Sequence, residues 1–346
     1  MTRGDSVKAA QYDGQGRIGV VDVEPTEPKA GEVEIAVAYT GICGTDLHIL
    51  HGEMDHRVAP PQSIGHEMAG TIARIGEGVS GLAVGQPVTV MPLRWCGTCP
   101  ACRAGNQHVC QKLVFVGIDS VGSMRERWTV PASIVVPLPD GLSLATGALV
   151  EPVAVACHDV ARSRLVQGET AVVIGGGPIG QLIASVAQAT GARVILIEPN
   201  QARRQIAANR GIETIDPATE DAVAFVEQTT GGTGADVVFE VAGAASTALG
   251  CVDYAKVRGR VVVVAIHSKP VPLNLFAMFW RELEIIGARV YERVDYERAI
   301  DLLSSGAIPA EEIITSIVPL ERARDAFAEL ERGAGMKVLV DSRSER

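Results

Sequence analysis

Hydrophobic residues follow two different rhythms along this chain. In Val33-Glu34-Ile35-Ala36-Val37-Ala38 apolar side chains recur at every second position, the period of a strand with one buried face. Residues 69–75 and 86–90 read as further strands, and Gly76, Gly78, Gly81 and Gly85 supply turns between them. Near Glu151 the rhythm changes. Residues 170–174, 193–197, 236–239, 260–265 and 283–286 are largely unbroken apolar runs, as strands covered on both faces of a parallel sheet require. Helix-length stretches separate them, among them 181–190 and 201–209, and this alternation is the βαβ pattern of a doubly wound sheet. The tail predicts helices over 296–304 and 320–332 and a closing strand over 336–340. The expected fold class is α/β, with a β-rich domain over 1–150, a doubly wound parallel-sheet domain over 151–289, and a segment over 290–346 that returns to the first domain.

Composition narrows the partners. The 346 residues are 47% hydrophobic and 21% charged, which suits two globular cores rather than a disordered chain. A net charge of -10 repels phosphate backbones and anionic lipids, so neither nucleic acid nor membrane is an expected partner. Residues 1–10 carry Arg3, Asp5 and Lys8 and lack the apolar centre of a signal peptide. No apolar run approaches the roughly 18 residues of a spanning helix. The expected location is the cytoplasm.

Three motifs carry chemistry. Gly175-Gly176-Gly177-Pro178-Ile179-Gly180 fits G-x-G-x-x-G, follows a buried strand and opens a helix, the context in which that pattern binds a dinucleotide. Gly175 permits the turn, Gly177 lets backbone N–H groups approach a pyrophosphate, and Gly180 allows helix to pack on strand; the helix N-terminus, beginning at Pro178 and Ile179, favours the phosphates. Glu198 ends the next strand, where a carboxylate accepts ribose hydroxyls and repels a 2′-phosphate, so NAD is expected over NADP. Arg203 and Arg204 temper that preference. Second, Cys96, Cys99, Cys102 and Cys110 offer four thiolates, enough to close a tetrahedral shell around zinc with no open position. Third, Cys43 and His66 offer a thiolate and an imidazole, and Glu67 or Glu151 a carboxylate; three protein ligands leave one zinc position for substrate.

The stretches GICGTDLH at 41–48, GHE at 65–67, CGTCPACRAGNQHVC at 96–110, EPVAV at 151–155 and GGGPIG at 175–180 together resemble the zinc-containing medium-chain dehydrogenases, close to the polyol (sorbitol) and (R,R)-butanediol dehydrogenase branch. The resemblance extends over essentially the whole length. It implies a GroES-like catalytic domain plus a Rossmann domain, with the active site in the cleft between them. It implies one catalytic and one structural zinc per chain. Cys43, His66 and a glutamate would hold the catalytic ion, with Glu67 and Glu151 exchanging between direct and water-mediated contact. Asp46 would orient His66, Thr45 would accept the substrate proton, and His48 would pass it to solvent. Val264, Ala265 and Ile266 would lie along the nicotinamide, and Tyr291 would face the substrate. Val290 stands where sorbitol dehydrogenases have an arginine, and Gly122–Trp128 replaces a glycine-rich aromatic segment, which points away from sorbitol towards a shorter vicinal diol. Members of the family assemble as homotetramers or homodimers. The expected activity is hydride transfer between a secondary alcohol and NAD. The alternatives are L-threonine dehydrogenase or another secondary-alcohol dehydrogenase of this fold and, from another class, a non-catalytic NAD-binding zinc sensor.

Overall fold

The computed structural model describes residues 6–333 and 335–343. Arg3 and Asp5, read above as part of the N-terminal stretch, lie outside the described residues, as do positions 334 and 344–346. The chain divides into two compact units: one contains the residues up to Glu151 and those from Tyr296 onward, the other Pro152–Asp295.

The first unit is built around the strand Glu32–Gly41. The strand Glu67–Ile75 pairs antiparallel on one side of it, and Lys337–Asp341 pairs antiparallel on the other. The alternation that marks residues 33–38 has its physical counterpart in the core: Val33, Ile35 and Val37 pack with Met68, Ile72, Val88, Val90 and Trp128. The closing strand does return to this unit, and it brings Ile314–Pro319 with it as a parallel neighbour. A small antiparallel pair, Leu93–Arg94 with Val114–Phe115, brackets the four-cysteine loop.

The second unit is a parallel sheet of six strands. Its order is Glu213–Ile215, Arg193–Ile197, Thr170–Ile174, Ala235–Glu240, Ala255–Val263 and Glu284–Gly287. Ala171, Val172, Val173, Ile195 and Leu196 have no exposed surface, the consequence of cover on both faces. Strand order reverses between Thr170–Ile174 and Ala235–Glu240, so the loops leaving those strands diverge and open a crevice at their carboxyl ends. Every named pairing in this sheet is parallel and in the direction that places its loops at that one edge.

Candidate active site and cofactor site

Register in the first unit assembles the catalytic candidates. Gly41 lies opposite Glu67 on one side and opposite Leu339 on the other. Cys43, two residues beyond Gly41, therefore emerges beside His66 and Glu67. A Cβ at Gly41 would collide with the Glu67 carboxylate, so glycine is required there. Ligand atoms of Cys43, His66 and Glu67 all lie within 4.8 Å of one another. His66 and Glu67 are buried, Cys43 is half-buried, and the His66 ring meets Phe115 edge-on at 5.1 Å. Glu151, in the first turn of the helix Val150–Ser163, is also buried.

Asp46 accepts the Cys43 backbone N–H at 2.8 Å through Oδ2, which fixes the start of the helix Gly44–Leu50. Its other oxygen lies 3.9 Å from His66 Nδ1, too far for a hydrogen bond, and both atoms are buried with no hydrogen-bond partner among the described residues. Burial lifts Asp46 to about 6, against the pull of the His66 charge. Burial would lower His66, but its hydrogen bond to Cys43 and the charges of Asp46 and Cys43 outweigh that and raise it to about 10. Thr45 is half-buried on the same helix, and His48 is exposed, with Nδ1 2.6 Å from Glu53 Oε2.

Lys337 escaped the sequence reading. Its Nζ donates to both Glu67 oxygens at 2.6 and 2.8 Å and to the Ile42 carbonyl at 3.1 Å, and it is almost fully buried. Burial alone would lower the lysine; the Glu67 and Cys43 charges raise it instead. The signal was present in Met336-Lys337-Val338-Leu339-Val340, one cation inside a buried apolar strand. Even with Lys337, acidic groups predominate among Cys43, Asp46, Glu67 and Glu151, and an unpartnered imidazole nitrogen lies among them. That donor set fits a divalent cation such as zinc.

The four-cysteine loop fits zinc more tightly. A tetrahedron with Zn–S bonds of about 2.3 Å needs sulfur–sulfur edges of about 3.8 Å. Cys99 and Cys110 lie 3.8 Å apart, Cys96 and Cys110 3.5 Å, and all four within 4.8 Å. Backbone N–H groups of Cys96, Cys99, Cys102 and Lys112 point at the sulfurs from 3.3–3.4 Å. The Thr98 backbone N–H and hydroxyl pull Cys96 down to about 5, whereas burial pushes Cys102 up to about 12. Four sulfurs this close ionise together only around a cation.

In the second unit, a cavity of about 430 Å³ opens at the crevice and is lined by Gly175, Gly177, Glu198 and Arg203 from the predicted motif, and by Ala242 and Thr247, which the sequence reading did not single out. Gly175 has φ +103°, and a Cβ on Gly180 would overlap the Gly175 carbonyl. The helix Pro178–Ala189 begins at this turn. Glu198 accepts the Gly176 N–H at 2.6 Å and the Asn200 N–H at 2.8 Å, and Arg203 lies 4.0 Å away. Val264 and Ala265 donate their backbone N–H groups to the Glu240 carbonyl at 3.0 and 3.1 Å, while Ile266 is exposed. Tyr291, expected to face a substrate, is fully enclosed.

A β-rich unit holding two metal-competent groups, joined to a Rossmann unit with an open glycine turn, defines a zinc- and nicotinamide-dependent dehydrogenase. The chain matches the alcohol dehydrogenase GroES-like domain over residues 29–140 and the zinc-binding dehydrogenase family over 178–305. It is 51% identical to the 2-dehydro-3-deoxy-L-galactonate 5-dehydrogenase of Pseudoalteromonas atlantica, over 98% of this chain and 99% of that one. A zinc-binding dehydrogenase of Sinorhizobium meliloti 1021, solved with NADP, superposes with a TM-score of 0.92 at 33% identity, covering 98% and 100% of the two chains. The 2R,3R-butanediol dehydrogenase of Bacillus subtilis gives 0.91 at 30% identity, again covering 98% and 100%. The chain belongs to the zinc-containing medium-chain dehydrogenases, in the polyol and butanediol dehydrogenase branch, and is an oxidoreductase acting on a small alcohol. No helix among the described residues is long and apolar enough to cross a membrane.

Proposed function

We propose that this enzyme oxidises a secondary hydroxyl of a sugar-derived acid and passes the hydride to NAD. The observation that carries this reading is the 51% identity, over nearly both whole chains, to a dehydrogenase named for 2-dehydro-3-deoxy-L-galactonate. The vicinal-diol reading rests on Val290 and the Gly122–Trp128 segment, and the butanediol dehydrogenase that would support it is only 30% identical.

Cys43 and His66 hold the catalytic zinc with a carboxylate from Glu67 or Glu151. Lys337 already neutralises Glu67, which favours Glu151 as the third donor. The bound zinc supplies a Lewis acid that eases loss of the hydroxyl proton, and the nicotinamide supplies the hydride acceptor. Thr45 takes the proton from the substrate hydroxyl, and His48 delivers it to solvent. The exposed Glu53 carboxylate supports that role by fixing the His48 ring through Nδ1. Asp46 fixes the backbone at Cys43 and places a negative charge behind His66. Cys96, Cys99, Cys102 and Cys110 hold the structural zinc and take no part in the chemistry.

Gly175 to Gly180 receive the pyrophosphate, and Glu198 receives the adenosine ribose. The Glu198 carboxylate in the cavity supports NAD over NADP, and Arg203 beside it tempers that preference. The assembly is a homodimer, or a homotetramer built from it. Phe276, Phe279 and Trp280 are each more than 70% exposed on the helix Leu275–Arg281, beside the open edge strand Glu284–Gly287. An exposed aromatic patch next to a strand that has a neighbour on one side only among the described residues supports a contact with a second copy of this chain across a two-fold axis. The proposed location is the cytoplasm, where a reducing medium keeps the seven free thiols available to metal.

The test is a substrate panel with zinc-loaded protein: 2-dehydro-3-deoxy-L-galactonate, sorbitol, 2R,3R-butanediol and L-threonine, each with NAD and NADP, followed by nicotinamide absorbance. The sugar acid with NAD should exceed every neutral substrate in kcat/KM by about tenfold or more, a difference of about 1.4 kcal/mol. A neutral diol that matches it would sink the acid reading. No turnover on any of the four would place the substrate among other secondary alcohols and overturn the acid reading.

A further inference from the structure

We propose that Glu240 and His267 form a positioning pair that holds the nicotinamide-side loop in register with the rest of the cofactor cavity. Glu240 is the last residue of the strand Ala235–Glu240 and is almost fully buried. Its Oε1 accepts the Gly243 N–H at 2.9 Å and the Thr247 hydroxyl at 2.8 Å. Its Oε2 lies 3.0 Å from His267 Nε2. Its main-chain oxygen accepts the Val264 and Ala265 N–H groups. One residue thus ties together the loop after its own strand and the loop after the neighbouring strand Ala255–Val263.

These loops touch each other and the glycine turn. A Cβ on Gly243 would lie 3.4 Å from the Ala265 Cβ, and a Cβ on Gly175 would lie 3.0 Å from the Ala242 Cα. Ala242 and Thr247 line the cavity together with Gly175, Gly177 and Glu198. A shift of the 264–267 loop therefore meets the cavity wall directly. The two backbone bonds hold only the start of that loop. Ile266 and Ser268 to Pro270 are exposed, whereas the His267 side chain is only 12% exposed and ties the loop to the sheet through Glu240. A buried carboxylate is stable only while its oxygens are satisfied, so removing His267 both frees the loop and leaves Oε2 unpaired.

This inference rests on the reading that residues 264–266 lie along the nicotinamide, and its test separates the two. His267→Ala and His267→Gln are prepared as zinc-loaded protein, and binding of NADH and of AMP is measured by fluorescence and calorimetry. AMP reports the adenosine end and the integrity of the Rossmann unit. NADH reports both ends. His267→Ala should weaken NADH about tenfold, or about 1.4 kcal/mol, and change AMP affinity less than about twofold. His267→Gln, whose Nε2 can donate in place of the ring nitrogen, should recover most of the loss. Unchanged NADH affinity in His267→Ala, an equal loss of AMP, or no rescue by glutamine would each overturn the positioning role. AMP binding without any gain from the nicotinamide half in the unaltered protein would instead overturn the cofactor reading, and the pair's role with it.

Discussion

Lys337 shows how a single buried charge organises the metal-competent group. It arrives on the last strand of the fold, some 270 residues from the carboxylate it neutralises. Three acceptors, two from Glu67 and the Ile42 carbonyl, satisfy its three protons. A buried ion pair adds little net stability, but breaking one side of it is costly, because the remaining charge is left uncompensated. Lys337→Met should therefore destabilise the protein by about 3–5 kcal/mol, measured by urea unfolding of zinc-loaded samples. Pairing it with Glu67→Gln should recover much of that loss, a coupling that a double-mutant cycle reads directly. Simple additivity would mean that Glu67 is compensated by something other than Lys337. The ligand candidates Cys43, His66 and Glu67 were legible because they sit in short dense motifs. Lys337, Phe115 and Glu53 were not, because each reaches the site through strand register or loop closure, and spacing along the chain does not encode those.

Strands and helices were legible where one physical demand dominated. Thr170–Ile174 and Arg193–Ile197 match their apolar runs because burial of every residue after the first leaves little other composition open. The strand Ala255–Val263 begins five residues before the run that reveals it. Its first half carries Lys256 and Arg258, takes a positive φ at Arg258, and slips register against Ala235–Glu240, so it lacks a strand's signature. The tail helix read as 320–332 is a 3₁₀ turn over Leu320–Arg322 followed by an α-helix over Ala323–Glu331. The helix Leu275–Arg281 was missed, because Leu-Phe-Ala-Met-Phe-Trp is apolar all round and shows no period. That same lack of a polar face underlies the proposal that a second copy of this chain docks there. Phe276 and Trp280 stack at 5.9 Å and present their rings outward. Replacing Phe279 and Trp280 together by glutamate should halve the mass seen by light scattering while leaving AMP binding intact. An unchanged mass would place the subunit contact elsewhere.

The two compact units divide the chemistry cleanly. Cys43, His66, Glu67, Glu151, Lys337 and the four-cysteine loop belong to one, and Gly175 to Gly180, Glu198, Glu240 and His267 to the other. The change of hydrophobic rhythm near Glu151 led to expected boundaries before 151 and after 289; the compact units part after Glu151, inside the helix Val150–Ser163, and after Asp295. Metal and cofactor binding should therefore be separable by mutation. Zinc content of purified protein, measured by mass spectrometry alongside NADH titration, tests this account most directly. Unaltered protein should hold two zinc ions per chain. Cys43→Ser should hold one, bind NADH with unchanged affinity and show no turnover. Two zinc ions and full activity in Cys43→Ser would contradict a catalytic ion held by Cys43 and His66.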